Sequence, residues 1–200
     1  MDDDRIFAHL LLDQFEALLG SSDAFRWDAE GWAGTDENRL YLLTEGETRK
    51  GSVTDGLDEL LYDRPITPFF DLQAGVRSDL DSGANRTWAA LGVAGLAPYF
   101  LELSTTLYAS DTGHYAARAM ASYDLLLTQR LILSPMVELN AYSKADPGRQ
   151  TASGLSGIEA ELRLRYEITR TFAPYLGVSY EREEAAMNNT RVALGIRAWL

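Results

Sequence analysis

Apolar and polar residues alternate along nearly the whole chain, in stretches of about ten residues that are separated by turn-forming residues. The last stretch shows the pattern clearly, because Val192, Leu194 and Ile196 fall on one face of an extended chain while Arg191 and Arg197 fall on the other. Two arginines on the hidden face of a soluble sheet would be costly to bury. In a transmembrane β-barrel they can face a wet, polar lumen while the apolar face meets lipid.

Twelve such stretches predict an all-β protein, a transmembrane antiparallel β-barrel of 12 strands, with a single domain over residues 1–200. Tight turns such as Thr128-Gln129 alternate with longer polar loops such as 143–153. Because bacterial barrels have short turns on the periplasmic side, we expect both termini to face the periplasm. Pro135 predicts a bulge or a strand end within its stretch. The predicted strands are 5–18, 23–33, 38–48, 52–62, 67–78, 86–96, 99–110, 113–126, 130–143, 154–168, 171–182 and 189–200.

Bulk composition is compatible with this architecture. A hydrophobic content of 46% and a mean hydropathy of −0.19 resemble those of a soluble protein, and no apolar run approaches the ~20 residues of a membrane helix. Barrel strands hide their apolarity at every second position, so these averages do not exclude them. The net charge of −12 argues against nucleic-acid binding, and it either attracts cations or simply solvates an acidic surface. The absence of Cys excludes thiolate metal sites.

Charges of both signs fall on the predicted inward face of several strands. Such charges can satisfy one another when they are paired across neighbouring strands. We therefore expect glutamates to face arginines in the lumen, namely Glu159, Glu161 and Glu138 against Arg163, Arg165 and Arg118. Two interpretations of this set stay open: a structural ion-pair network that fills a narrow lumen, or a path for ions.

Several stretches are more specific than their periodicity, and they occur in order over essentially the whole chain. They are Asp4-Arg-Ile-Phe-Ala-His-Leu-Leu-Leu-Asp-Gln-Phe-Glu16, Asn38-Arg-Leu-Tyr-Leu-Leu-Thr-Glu-Gly-Glu47, Trp88-Ala-Ala-Leu-Gly-Val-Ala-Gly-Leu-Ala-Pro-Tyr99, Tyr123-Asp-Leu-Leu-Leu-Thr-Gln-Arg-Leu-Ile-Leu133, Leu162-Arg-Leu-Arg-Tyr-Glu167, Phe172-Ala-Pro-Tyr175 and Gly195-Ile-Arg-Ala-Trp199. Together they closely resemble the copper resistance protein B family (CopB and its plasmid-borne relative PcoB). The resemblance implies an outer-membrane protein of bacterial copper resistance that binds copper or passes it across the outer membrane.

The resemblance also implies partners. Members of the family act beside a periplasmic multicopper oxidase, so a structural or docking role for that enzyme, without conduction, is the alternative function. Outer-membrane lipid is the other expected partner, nucleic acid is not expected, and we expect a monomer. Family members usually carry a Met- and His-rich segment before this region, and we expect it to be absent from this chain.

Six residues are candidates for a copper path along the lumen. Met120 and Met136 are inward positions where the family resemblance implies charge, and thioethers are soft ligands suited to Cu(I). His9 offers an imidazole, while inward carboxylates supply an attractive field for a cation. The proposed set is His9, Glu102, Met120, Met136, Glu138 and Glu159. The alternatives are that the two Met fill irregular space and that His9 is a hydrogen-bonding residue of the lumen.

An outer-membrane hydrolase is a further alternative, because some phospholipases are barrels of this size. Such an enzyme needs a serine, a histidine and an orienting residue near the membrane surface. Ser122 with His114, or Ser104, are the only groups to suggest it, and no motif places a nucleophile among them. We therefore expect no enzymatic activity, and we expect His114 to be a polar loop residue. A purely structural barrel or an adhesin also stays open.

Overall fold

Each strand of the protein pairs antiparallel with its neighbours, and the first strand also pairs with the last, so the sheet closes on itself. A computed structural model describes residues 5–20, 23–80, 86–146, 151–183 and 188–200. The strands are β1 (Phe7–Leu19), β2 (Ala24–Gly34), β3 (Arg39–Arg49), β4 (Ser52–Pro65), β5 (Phe70–Asp79), β6 (Thr87–Ala97), β7 (Leu101–Ser110), β8 (Tyr115–Ser122), β9 (Leu125–Leu126), β10 (Leu131–Tyr142), β11 (Gly154–Tyr166), β12 (Phe172–Glu183) and β13 (Asn189–Trp199). A 3₁₀ turn, Pro98–Phe100, joins β6 to β7.

The two short strands β8 and β9 lie end to end along β10, so the closed barrel has twelve strand positions, which confirms the predicted count. The expected bulge or strand end at Pro135 is wrong for its own strand, because β10 runs through Pro135 and pairs it with Leu162. The break falls on the neighbouring strand instead. The Tyr123 N–H donates to the Pro135 carbonyl at 3.1 Å, but proline has no N–H with which to return the bond.

The strands bury charge and expose apolar side chains, which is the reverse of a soluble sheet. On the exterior Leu162 is 47% exposed and Leu194 is 49% exposed, whereas Glu16 inside is fully buried. The predicted lipid face of β13 is therefore confirmed. The described residues contain no helix with the length and apolarity that crossing a membrane requires.

A bulge at Asp13 changes which residues of β1 face the lumen. Leu12 pairs with Ala29 and Gln14 pairs with Asp28, so Asp13 has no residue opposite it on β2. Before the bulge the odd-numbered residues face inward, as predicted for His9. After it the even-numbered residues do, and the simple period of two therefore missed the buried residues Gln14, Glu16 and Leu18.

Parts of the predicted longer connections lie outside the described residues. These are 21–22 in the first loop, 81–85, 147–150 and 184–187, and Met1 and Met187 lie outside them as well. The connection between β4 and β5 lies at 66–69, about three residues later than predicted, because β4 continues to Pro65. The predicted strands 154–168 and 171–182 correspond to β11 and β12, and the predicted turn at Thr128-Gln129 lies between β9 and β10.

Candidate metal-handling lumen

A cavity of about 1240 Å³ occupies much of the barrel interior. Its lining extends from Thr67 and Phe69, in the β4–β5 turn, to Lys144 and Asp146, beyond the other end of β10. The alternation of each strand supplies this lining, because the inward positions of β3, β4, β5, β7, β8 and β10 carry polar or charged groups. The interior is therefore a polar cavity that reaches from one rim of the barrel to the other.

A network of ion pairs fills the side of the interior next to β1, β2 and β11–β13. Arg163 lies 3.2 Å from the fully buried Glu16 carboxylate, which also accepts a hydrogen bond from the Tyr175 hydroxyl at 2.9 Å. Arg26 lies 2.7 Å from Glu161 and also binds Glu159. The structural network expected from the sequence is thus present, and the cavity lies beside it.

The arginine Arg191 shows how dry this side is. It is 1% exposed and binds Glu47 at 2.8 Å and Glu181 at 2.9 Å. The expectation that it faces a wet lumen is therefore wrong: it faces inward, but carboxylates rather than water surround its guanidinium group. Its partners lie on β3 and β12, so the side chain ties β13 to strands on both sides of the seam.

Two of the predicted ion pairs form, and two predicted residues have other partners. Arg118 binds Glu138 at 2.6 Å, and Arg163 binds Glu161. Glu159 instead binds Arg26 of β2, and Arg165 binds Asp124. The reason is reach: a long arginine side chain crosses the narrow interior, so its partner can lie on a strand that is distant in sequence.

Sequence reasoning missed several members of this network. Arg26 and Glu47 lie at inward positions of strands that the alternation had identified, so applying the period of two to those strands would have found them. Glu16 lies after the bulge in β1, where the period changes face. Glu45 was missed for the same reason as Glu47, and it binds Arg118 across the cavity at 2.7 Å.

Five of the six candidate copper residues lie in two neighbouring cross-strand rows over β7, β8, β10 and β11. The first row joins Ser104, Met120, Glu138 and Glu159, and the second joins Glu102, Ser122, Met136 and Glu161. Met120 and Met136 are thus diagonal neighbours on the adjacent, paired strands β8 and β10. All five candidates line the cavity. We name the set Glu102, Met120, Met136, Glu138 and Glu159 the Met–Glu patch.

The carboxylates of the Met–Glu patch differ in how strongly protein groups hold them. Glu138 accepts hydrogen bonds from Arg118 at 2.6 Å and from the Asn140 side-chain amide at 2.7 Å. Glu102 is exposed to the lumen and accepts a hydrogen bond from the Ser122 hydroxyl at 3.0 Å. Glu102 is therefore the carboxylate of the patch that a cation can reach with the least competition.

His9 lies apart from the Met–Glu patch. Its ring centroid is 6.2 Å from that of Trp32 and 5.8 Å from that of Trp199, at the end of the barrel where the chain closes. The cavity lining includes His114 but not His9. His114 lies at the β7–β8 turn, where its ring contacts the Thr112 hydroxyl at 3.1 Å, as expected for a polar loop residue.

No three His, Asp or Glu side chains converge on a common point within the part of the chain that the structure describes. The Ser122 hydroxyl, which the hydrolase hypothesis needed as a nucleophile, donates to Glu102. The Met–Glu patch therefore combines two thioethers with separate carboxylates that do not form a closed cage.

Comparison with known proteins identifies relatives over the whole barrel. The family model for the copper resistance protein B precursor (CopB) matches residues 6–200. A copper resistance protein B homolog of Pseudomonas syringae pv. tomato is 40% identical over 98% of this chain and 71% of its own length. Copper resistance protein B of Escherichia coli is 44% identical over 86% of this chain. The match spans 59% of that second protein, so the chain covers only part of its relatives.

Solved structures support the fold independently. The NanC porin superposes with a TM-score of 0.63 over 96% of this chain and 99% of its own, at 11% identity. The KdgM porin superposes with a TM-score of 0.59 over 96% of this chain and 98% of its own, at 12% identity. Likeness at such low identity shows the barrel architecture alone, and the family match supplies the rest. The chain belongs to the copper resistance protein B family, and it is an outer-membrane β-barrel.

Proposed function

We propose that the barrel passes copper ions through its lumen, with the Met–Glu patch as a weak binding station on the way. The observation that carries the proposal is the position of Met120 and Met136, which lie as diagonal neighbours on the cavity wall among Glu102, Glu138 and Glu159. Thioether sulfur is a soft donor that suits Cu(I), and the carboxylates attract a cation into the cavity. The relatives are named for copper resistance, which supports copper as the cargo.

An open arrangement of ligands suits transport. A conducting pathway needs sites that bind strongly enough to admit the ion and weakly enough to release it. Two thioethers and one accessible carboxylate meet that requirement, whereas a closed cage of three or four ligands would hold the ion. Glu102 and Met136 lie in one cross-strand row, with Ser122 between them, so an ion can move along the wall in short steps.

The test is copper entry into proteoliposomes that enclose a copper-sensitive dye, with Cu(I) held reduced by ascorbate and with Cu(II) in a parallel series. The variants are Met120→Leu combined with Met136→Leu, which keep side-chain size and remove both sulfurs. Val137→Leu is the matched control, because Val137 lies between Met136 and Glu138 and faces outward. We expect Cu(I) entry to fall by about tenfold in the double variant, as ~1.4 kcal/mol of lost binding implies, and to be unchanged in the control.

The second candidate function is docking of a periplasmic copper enzyme without conduction. The Arg118 side chain favours it, because it spans the cavity between Glu45 and Glu138 and narrows the path. The same experiment separates the two functions. Copper entry equal to that of empty liposomes would reject conduction and leave the docking role, whereas normal entry in the Met variants would reject Met120 and Met136 as part of the path.

A further inference from the structure

On β10–β13 the apolar, lipid-facing band extends far along the barrel axis. On β12 the outward positions are Phe172, Pro174, Leu176, Val178 and Tyr180, so an aromatic ring lies at either end of an apolar run. Eight residue steps span about 26 Å along a strand, or about 20 Å of height at a tilt of ~40°. That height approaches the ~25 Å apolar band of outer-membrane barrels.

The same surface is short on β3–β5. On β4 the outward positions between Arg64 and Asp58 are only Leu60 and Tyr62, which are 44% and 46% exposed. Six residue steps separate the two charged residues, which corresponds to about 15 Å of height at the same tilt. This wall therefore offers a shorter apolar band than β12 does, and a carboxylate marks one of its limits.

Asp58 is the centre of a polar row on the outer surface. Thr44 of β3 and Ser78 of β5 lie directly opposite it on the two neighbouring strands, and both point outward with it. The inward neighbours Leu57 and Glu59 are 5% and 4% exposed, which fixes the outward direction of Asp58. We name Thr44, Asp58 and Ser78 the outer polar row.

A tryptophan independently places the membrane boundary at this level. The Trp27 indole N–H donates to the Thr44 hydroxyl at 3.2 Å, and its ring lies over Gly46, where a Cβ atom would be 2.5 Å from the ring. Tryptophan with an apolar ring and a hydrogen-bonded N–H is typical of the interface between lipid tails and headgroups. On this wall that interface therefore lies two residue pairs along the strands from Leu42 and Leu60, at the next pair that faces outward.

From these observations we infer that the lipid-facing belt is wedge-shaped and that lipid headgroups descend to the outer polar row on the β3–β5 wall. A carboxylate in hydrocarbon would be costly, whereas headgroup water and ammonium groups solvate it. A second copy of the chain is a poorer occupant, because a two-fold interface at this row would place two Asp58 side chains against each other. The bilayer accommodates the short wall by local thinning or by tilt of the barrel.

The chain has no cysteine, so single labelled positions are available without background. A nitroxide label at Asp58→Cys is compared with one at Leu176→Cys, in the middle of the tall belt, in phosphatidylcholine liposomes. We expect the label at position 58 to collide mainly with a water-soluble nickel chelate and the label at 176 mainly with oxygen, which concentrates in hydrocarbon. Equal oxygen preference at both positions would overturn the inference. Dipolar broadening between labels at position 58 would also overturn it, by showing a second copy there.

A second measurement uses bilayer thickness. The denaturant midpoint of the whole barrel is compared in thin dilauroyl and in thicker dioleoyl phosphatidylcholine. We expect Asp58→Leu to raise the midpoint in the thicker bilayer relative to the thin one, because it extends the apolar band of β4. Asp58→Asn, which stays polar, and Val178→Leu, which lies within the tall belt, should leave the ratio of the midpoint in the thicker bilayer to that in the thin bilayer unchanged. An Asp58→Leu variant that keeps the wild-type ratio would contradict a short wall.

Discussion

One nitrogen of the Arg118 guanidinium group lies 2.7 Å from the Glu45 carboxylate and 2.6 Å from that of Glu138, on opposite sides of the cavity. Glu138 is on the strand next to Arg118, but Glu45 is on β3, with four strands between β3 and β8. The arginine therefore acts as a crossbar within the lumen. Because Glu138 is also a member of the Met–Glu patch, the crossbar and the candidate copper station share one carboxylate.

Removal of the crossbar should destabilise the barrel moderately. Arg118→Ala leaves Glu45 and Glu138 without their shared cation, and we expect a loss of about 2–3 kcal/mol. That is less than the ~3–5 kcal/mol for one partner of a fully buried pair, because water in the cavity can reach these carboxylates. Reversible unfolding in bilayers measures the loss, with the exposed Arg130→Ala as control. A change no larger than that of the control would mean that the crossbar contributes nothing to stability.

Removal of an arginine from the dry side of the interior, next to β1, β2 and β11–β13, should lower the free energy of unfolding more than removal of Arg118 does. Arg163→Ala removes the arginine that binds Glu16, whose side chain is 0% exposed, and one of the two arginines that bind Glu161, whose side chain is 1% exposed and which keeps Arg26. We expect a loss of about 3–5 kcal/mol by the same unfolding measurement. If Arg163→Ala costs less than Arg118→Ala, the division of the interior into a dry side and a wet side is wrong.

A double-mutant cycle tests whether that cost comes from the ion pair. Glu16→Gln removes the charge that Arg163 neutralises but keeps a group that can pair with the Tyr175 hydroxyl. We expect Arg163→Met combined with Glu16→Gln to be more stable than the sum of the single changes predicts, by about 1–3 kcal/mol. Additive single changes would show that Arg163 does not stabilise the barrel through its pair with Glu16.

Two glycines provide a matched pair for the packing of the strands. A Cβ atom at Gly75 would lie 2.0 Å from the Leu60 carbonyl oxygen, which is backbone and cannot move aside. At Gly157 the nearest atom would be the Asn140 Cβ at 3.7 Å, an ordinary contact. We expect Gly75→Ala to destabilise the barrel by about 3 kcal/mol or to prevent folding, and Gly157→Ala to change stability by less than ~1 kcal/mol. Similar stability of the two variants would contradict this difference.

The break between β8 and β9 should respond to Pro135. Pro135→Ala supplies the N–H that the hydrogen-bonded pair with Tyr123 lacks, so the ladder can continue through residues 123–124. We expect the new amide at position 135 to be protected from hydrogen exchange to the same degree as its neighbours in β10. Exchange of that amide at the rate of an exposed turn would show that another constraint, such as the Asp124 pair with Arg165, sets the break.

The charge of Glu102 should set the preference of the lumen for cations. Its carboxylate lines the cavity and is bound by the Ser122 hydroxyl rather than by an arginine. Glu102→Gln should therefore lower the cation preference measured by reversal potential in planar bilayers, while the unfolding midpoint stays within ~0.5 kcal/mol of the wild type. An unchanged reversal potential would remove Glu102 from the candidate path.

The sequence predicted the barrel well because each strand carries its own evidence. Alternation over ten or so residues identifies a strand and its two faces without knowledge of its neighbours, as it does for β11 and β13. Alternation no longer identifies the inward face where the period itself changes. Asp13 adds one residue to β1, and the inward residues beyond it, Gln14 and Glu16, were therefore assigned to neither face.

The partners of the interior charges were harder to predict than their direction. A period of two shows that Arg26 and Glu159 both point inward, but not that β2 and β11 bring them together across the interior. The Met–Glu patch was predictable as a set because its members lie on neighbouring strands, whose order follows the chain. His9 was grouped with them by residue type and inward direction, which do not show its position along the barrel axis, and the structure places it beside Trp32 and Trp199 instead.

The ion pairs across the interior have a consequence for how the barrel assembles. Arg26 and Glu161 are separated by 135 residues, and Arg163 and Glu16 by 147, so neither pair can form while the sheet is still open. Until β1 meets β13 these groups must keep their hydration. Closure of the seam and loss of that water are therefore one event. The interior ion pairs form, and their charges lose water, only when the last strand pairs with the first.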